Sequence, residues 1–360
     1  MTRLAITTLL SAMFLAAASA AAAPLKIAVV APTEGPLAIL GRQILDGARF
    51  AAASNGAEIV AVPETCEEGG GKEWVQDAIG AGVQAAIGFL CTESLENALS
   101  RMAAAGIPAI TLSVRSRILM EDALKKNWPL FRLAPAPDAE AEKAAEIIIR
   151  DWKAEPFALI DDGTIHAREL VEALRLRLEE VGMKPAFLDT FRPAQEQQLS
   201  LVRRLARTGA THVFVGGDRN DTAIIARDAR AEGLALSFLG GESLMAADQQ
   251  VAMPDGVRTI APPPYDLLAP GRATAQAMEE KGLAPEGYVM PAYAAVSLLE
   301  QAAAQAGGRP LPDAILSGSF STIIGSVAFG TDHELRDNPY KLLEWRDGRF
   351  VPVDTTPESE

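Results

Sequence analysis

Short apolar runs of strand length alternate with amphipathic segments of helical period along most of this chain, and that alternation restricts the fold more than any other feature. Strand-like runs fall at 26–30, 58–62, 85–88 and 108–111, with helical patterns between them at 40–53, 72–81 and 92–105. A second series places strands at 157–160, 186–190, 212–215 and 237–239 and helices at 167–181, 195–208 and 221–232. A helix that links two strands of one sheet must cover that sheet, which makes the strands parallel. The repeated units therefore predict an α/β chain with two parallel, doubly wound sheets. Proline-punctuated breaks at 133–138 (LAPAPD) and 261–265 (APPPY) separate the series from each other and from helical patterns at 272–281 and 288–306. Such breaks suit crossings between two domains.

Residues 1–23 have the three parts of a secretory leader: Arg3, an apolar run at 4–15, and a small-residue tract at 16–23. The pattern Ala18, Ser19, Ala20 predicts cleavage near Ala20, and the apolar run is short for a span of ~20 residues. The expected product is an exported, soluble chain of about 337 residues, a length that suits two domains. Its formal charge shifts from -14 to -15 once Arg3 is removed. A chain this acidic repels nucleic acid and anionic lipid.

Cys66 and Cys91 are the only two cysteines, and in an oxidising compartment such a pair reads as a structural disulfide. The three histidines, His166, His212 and His333, are dispersed, so neither a metal nor a cofactor is expected. Catalytic signatures are missing as well. The run at 69–72 lacks the upstream glycine and the hydroxyl of a phosphate loop, and there is no GxSxG elbow and no GxGxxG after the first strand. Binding without chemistry is the expectation.

At 26–51 the sequence KIAVVAPTEGPLAILGRQILDGARFA resembles the opening of the leucine/isoleucine/valine-binding protein family, with its Gly-Pro turn and a helix carrying DGA. The Cys66/Cys91 spacing with FLCTES, then GIPAIT, VFVGGD, FLGGES, YVMPAYAAV and VAFGTDHEL, follows in the family's order across nearly the whole chain. The resemblance implies a type I periplasmic binding protein: two Rossmann-like lobes with parallel sheets joined by three crossover strands. It places one lobe at 24–133 plus 262–334 and the other at 134–261 plus 335–353, with a tail at 354–360. Ligand would sit between the lobes, facing the carboxyl ends of the strands.

Carried over residue by residue, the resemblance implies that the Thr92 hydroxyl and nearby amides hold a ligand carboxylate, as a helix N-terminus does on independent grounds. A helix cap is the plainer role for Thr92. Ser113 matches a small residue offering its carbonyl. Arg115 stands where the family has a hydroxyl; its guanidinium can fork onto a carboxylate, and Arg117 is the alternative reaching residue. His166 and Asp218 occupy positions where the family often has aromatics, Asp218 doubling as a cap candidate. Glu242 matches the acid that takes a ligand ammonium, with Gly240 and Gly241 allowing close backbone approach. Tyr288 matches an aromatic wall, and Leu40 replaces a frequent tyrosine.

Charged groups at these positions suit a small polar or zwitterionic solute, such as an amino acid or derivative, better than leucine. The expected function is that of a periplasmic solute receptor, monomeric, delivering its cargo to an ABC transporter permease and its ATPase. Two other readings stand beside it: a sensor presenting solute to a membrane receptor, and an extracytoplasmic hydrolase using Asp218 or Glu242.

Overall fold

The structure, a computed structural model, describes residues 24–67, 69–71, 73–247 and 251–353, and every count below refers to those. The expected leader and tail lie outside them.

The first series forms β1 (Lys26–Ala31), α1 (Ala38–Asn55), β2 (Glu58–Pro63), α2 (Trp74–Gly80), β3 (Ala85–Gly88), α3 (Thr92–Ala104), β4 (Ala109–Thr111), α4 (Arg117–Lys125) and β5 (Leu130–Arg132). The five strands make one parallel sheet in the order β2-β1-β3-β4-β5. The pleat explains why β1 is apolar throughout. Ile27, Val29 and Ala31 enter the core on one face, while Ala28 and Val30 enter the core on the other.

The chain then leaves this sheet for α5 (Ala139–Asp151), β6 (Phe157–Asp161), α6 (Ile165–Glu180), β7 (Phe187–Thr190), α7 (Leu199–Thr208), β8 (His212–Gly216), α8 (Arg219–Ala231), β9 (Ser237–Gly240) and β10 (Arg258–Ala261). It returns to pack α10 (Val289–Gln305) against α1, after α9 (Ala269–Glu280). The helix α11 (Leu311–Ser317) and a small hairpin of β11 (Phe320–Thr322) and β12 (Gly325–Val327) follow. A last passage carries it back to β13 (Lys341–Arg346) and β14 (Arg349–Pro352).

The second sheet has seven strands in the order β14-β13-β10-β9-β8-β6-β7. It is mostly parallel, as expected, with an antiparallel addition at one edge. The pairs β10–β13 and β13–β14 are antiparallel. β13 enters from the other body of the molecule and has no preceding helix of its own series to set its direction. β14 follows through a tight turn at Asp347 and Gly348, both with positive φ (50° and 84°), the geometry of a two-residue hairpin loop.

Among the described residues no helix is long and apolar enough to cross a membrane. Several helices open on a side-chain cap at the carboxyl end of a strand. Ser116, Thr164 and Asp218 accept from the amides of Leu119, Ala167 and Asp221. These capped ends fix the loops on which the candidate site stands.

Candidate functional site

The end of β3 is shaped by two consecutive left-handed residues, Gly88 (φ 111°) and Phe89 (φ 64°). At Gly88 a side chain is excluded, because a Cβ would lie 2.2 Å from the Val30 carbonyl oxygen. The turn directs the chain into α3. The Glu64 carboxylate, just past β2, accepts the amides of Leu90 (2.8 Å) and Cys91 (3.2 Å). Burial pushes the Glu64 carboxyl up, and these two amides offset only part of the shift. Cys66 and Cys91 form the expected disulfide. Glu64 lies beside both sulfurs, but sulfurs bonded to each other are not thiolate ligands, so this cluster is no metal centre.

Cys91, not Thr92, is the N-cap of α3, and it makes no side-chain cap bond. Thr92 is exposed at the first helical position. The first-turn amides of α3 therefore carry the partial positive charge of a helix start without a capping side chain.

On the neighbouring strand, Thr111 at the end of β4 accepts the Val114 amide at 3.0 Å and shapes the loop that carries Ser113 and Arg115. Tyr288, the N-cap residue of α10, donates its hydroxyl to Ser113 Oγ at 2.9 Å, and its amide donates to Gln43 Oε1 at 3.3 Å. Two expected ligand residues are thus bonded to each other. Leu40 is half-buried on α1, one turn before Gln43.

The central contact joins the two bodies. Arg115, after β4, donates from Nη1 to Glu242 Oε2 (2.9 Å) and from Nη2 to Glu242 Oε1 (3.1 Å), and Glu242 follows β9. The side chains remain 37% and 32% exposed, so solvent reaches the pair. Tyr340 donates its hydroxyl to Glu242 Oε2 at 2.5 Å and accepts from Arg115 Nη1 at 3.1 Å. The Glu242 amide donates to Glu140 Oε1 at 2.6 Å.

The electrostatics follow from these bonds. Burial raises the Glu242 carboxyl, but the Arg115 guanidinium and the Tyr340 hydroxyl outweigh it and hold Glu242 below its ordinary value. Burial lowers the Arg115 value, and Glu242 more than offsets this, so the guanidinium stays charged. Burial and then the Glu242 charge push Tyr340 well up, which keeps it a neutral donor. Glu140 is raised, chiefly by burial.

The remaining candidates lie nearby in the fold with different partners. His166 is 64% exposed near the start of α6 and faces Glu140 at 4.0 Å. Arg117 points elsewhere and pairs with Asp138 at 2.6 Å, so Arg115 is the arginine that reaches across. Asp218 is exposed and caps α8, with Oδ1 accepting the Asp221 amide at 2.8 Å.

Asp221 itself is buried and accepts the Ala194 amide on both oxygens (2.9 and 3.2 Å). Burial, then the Asp218 charge, lift its carboxyl from 3.8 to about 6. Between those two values the folded protein thus holds a proton that the unfolded chain releases. This acid costs stability above pH about 6, and the cost disappears as pH falls toward its unfolded value. Between about pH 7 and about pH 5, the melting temperature of the native protein is expected to gain on that of Asp221→Asn. Parallel melting curves against pH would exclude this linkage.

Tyr340 and Glu140 were not legible as site residues. Glu140 is one of several acids on a charged helix, and Tyr340 precedes β13 with no motif around it.

The profile of the family described as "Periplasmic binding protein" matches residues 24–349. The chain is similar to Leu/Ile/Val-binding protein homolog 3 of Brucella melitensis, 24% identical over 354 residues, covering 94% of this chain and 95% of the relative. Among solved structures it resembles an ABC transporter substrate-binding protein from Desulfitobacterium hafniense in complex with Leu, with TM-score 0.68 and 19% identity over 92% of this chain and all (100%) of the other. It also resembles a solute binding protein of an ABC transporter from R. palustris in complex with 4-hydroxybenzoate. There the TM-score is 0.65 and identity 17%, over 92% of this chain and 95% of the other.

Proposed function

The chain belongs to the periplasmic binding protein family, and on that premise we propose that it is the solute receptor of an ABC importer, gripping a small polar or zwitterionic solute between two lobes. The observation that carries this reading is the meeting of Arg115 and Glu242. They stand on loops at the carboxyl ends of strands in two different sheets, where open α/β sheets bind ligands. The lobes on this reading are 24–133 plus 262–334 and 134–261 plus 335–353, and hinge closure about the three passages between them sequesters the solute. The likeness to proteins holding Leu and 4-hydroxybenzoate supports a solute of that size bearing a carboxylate.

Thr92 and the first turn of α3 supply the carboxylate end of the site, and Ser113, Tyr288 and Leu40 the wall of the first lobe. Arg115 and Glu242 bridge the two lobes, with His166 and Asp218 on the rim of the second. We assign no catalytic role to either acid, since Glu242 is held as the partner of Arg115 and Asp218 caps a helix. The permease and ATPase of an importer are the partners, the leader directs the chain to the periplasm, and the receptor works as a monomer.

A thermal-shift screen of amino acids, their amides and small organic acids tests the reading. A ligand at about 100 times its Kd stabilises the folded state by about 2.7 kcal/mol, which raises the melting temperature by about 5 °C. Flat melting temperatures across all three classes would remove the receptor assignment.

A further inference from the structure

From the bonding of Arg115 we infer that this site selects small carboxylates that lack an α-ammonium group, the fixed cation of Arg115 having taken the place of the ligand's amine at Glu242. The inference rests on the receptor reading above and narrows its solute class.

Glu242 accepts three hydrogen bonds, two from Arg115 and one from Tyr340, so both oxygens are engaged within the protein. An ammonium arriving at Glu242 must either displace a two-pronged guanidinium or settle beside it as a like charge. Glu140 offers no substitute, because it is buried, takes the Glu242 amide on Oε1 and faces His166 on its other oxygen.

A carboxylate meets the opposite situation. A guanidinium has five N–H donors in a rigid fork. Arg115 meets Glu242 with its end edge, one donor each from Nη1 and Nη2, and Nη1 also reaches the Tyr340 hydroxyl. Its Nε–H and second Nη2–H form the side edge, which bonds to none of the described residues, and Nε is not among the buried unpartnered atoms. That edge has the geometry for a second two-pronged carboxylate.

The test is calorimetry on ligand-stripped protein with matched pairs: leucine against 4-methylpentanoate, phenylalanine against 3-phenylpropanoate, and serine against 3-hydroxypropanoate. In at least one pair the acid is expected to bind about tenfold or more tighter than the amino acid. Arg115→Met frees Glu242 and removes the side edge, so the preference should shrink or reverse. Arg115→Lys keeps a cation on Glu242 but has no side edge; acids should weaken about tenfold and amino acids gain nothing. It also serves if the methionine variant does not fold.

Amino acids binding more tightly to the native protein would overturn the inference and leave the receptor intact, pointing instead to the uncommitted oxygen of Asp218. Equal weakening of both members of every pair by both variants would overturn it too. Binding of neutral polar solutes alone would overturn the carboxylate class, whereas no binding at all would remove the receptor reading itself.

Discussion

Gly47→Ala is expected to destabilise the protein by about 3 kcal/mol, at the upper end of the cost of overfilling a packed core. Gly47 is the glycine of the DGA sequence on α1, a position where glycine alone costs a helix about 1 kcal/mol relative to alanine. Its place in the fold explains that cost. A Cβ there would lie 2.1 Å from the carbonyl oxygen of Val289 and 2.8 Å from its carbon, in the first turn of α10. Both atoms belong to backbone, so no rotamer change relieves the clash and the two helices must separate. Separation would disturb the core in which Ile44 and Ala48 of α1 meet Ala292, Ala295 and Val296 of α10. Gly80, at the end of α2, provides the control, since a Cβ there meets nothing within 4 Å. Gly80→Ala should leave stability unchanged or raise it by up to about 1 kcal/mol. Denaturant midpoints for the two variants check the contrast, and equal midpoints would show that α1 and α10 have slack to give.

Replacing both Cys66 and Cys91 by serine should cost about 3 kcal/mol, which lowers the melting temperature by about 5 °C. The bridge closes a sequence separation of 25 residues, enough to remove a sizeable part of the unfolded chain's freedom. It also has local work in the fold. Cys91 is the buried N-cap of α3, and Glu64, two residues before Cys66, takes the amides of Leu90 and Cys91. Without the bridge, hydrogen bonds such as these and that of Asn97 Nδ2 to the Gly70 carbonyl hold the segment after β2 to the start of α3. Reductant should lower the denaturant midpoint of the native protein and leave that of the double variant unchanged. An unchanged native midpoint, with thiol titration proving both cysteines reduced, would show the bridge to be energetically idle.

The boundaries read from the pattern were close where an element is amphipathic or doubly buried. The expected strand at 85–88 is β3, and the expected helix at 92–105 differs from α3 by one residue. The elements missed are α4, β5, α5, β10, α11 and the strands from β11 onward. β5 and β10 are short, and their residues acquire partners only from strands already placed. The β13–β14 hairpin did carry a signal, Asp347-Gly348 between two apolar runs, which the alternation of strands and helices overshadowed.

The site divides along a similar line. Resemblance brought Arg115 and Glu242 forward as separate contacts for a ligand, and left Arg117 open as the arginine that reaches. The structure turns Arg117 to Asp138 and closes Arg115 on Glu242, 127 residues away, with Tyr340 a further 98 beyond. No periodicity encodes such a meeting.

By itself the sequence determined the α/β layering and the cysteine pair, because alternation and helical period are local consequences of which side chains leave water. Only the tertiary structure decided which charge answers which across the two bodies. Ion pairing depends on angstrom-scale distance between loops that the chain order keeps far apart, and two opposite charges are indifferent to the number of residues that separates them.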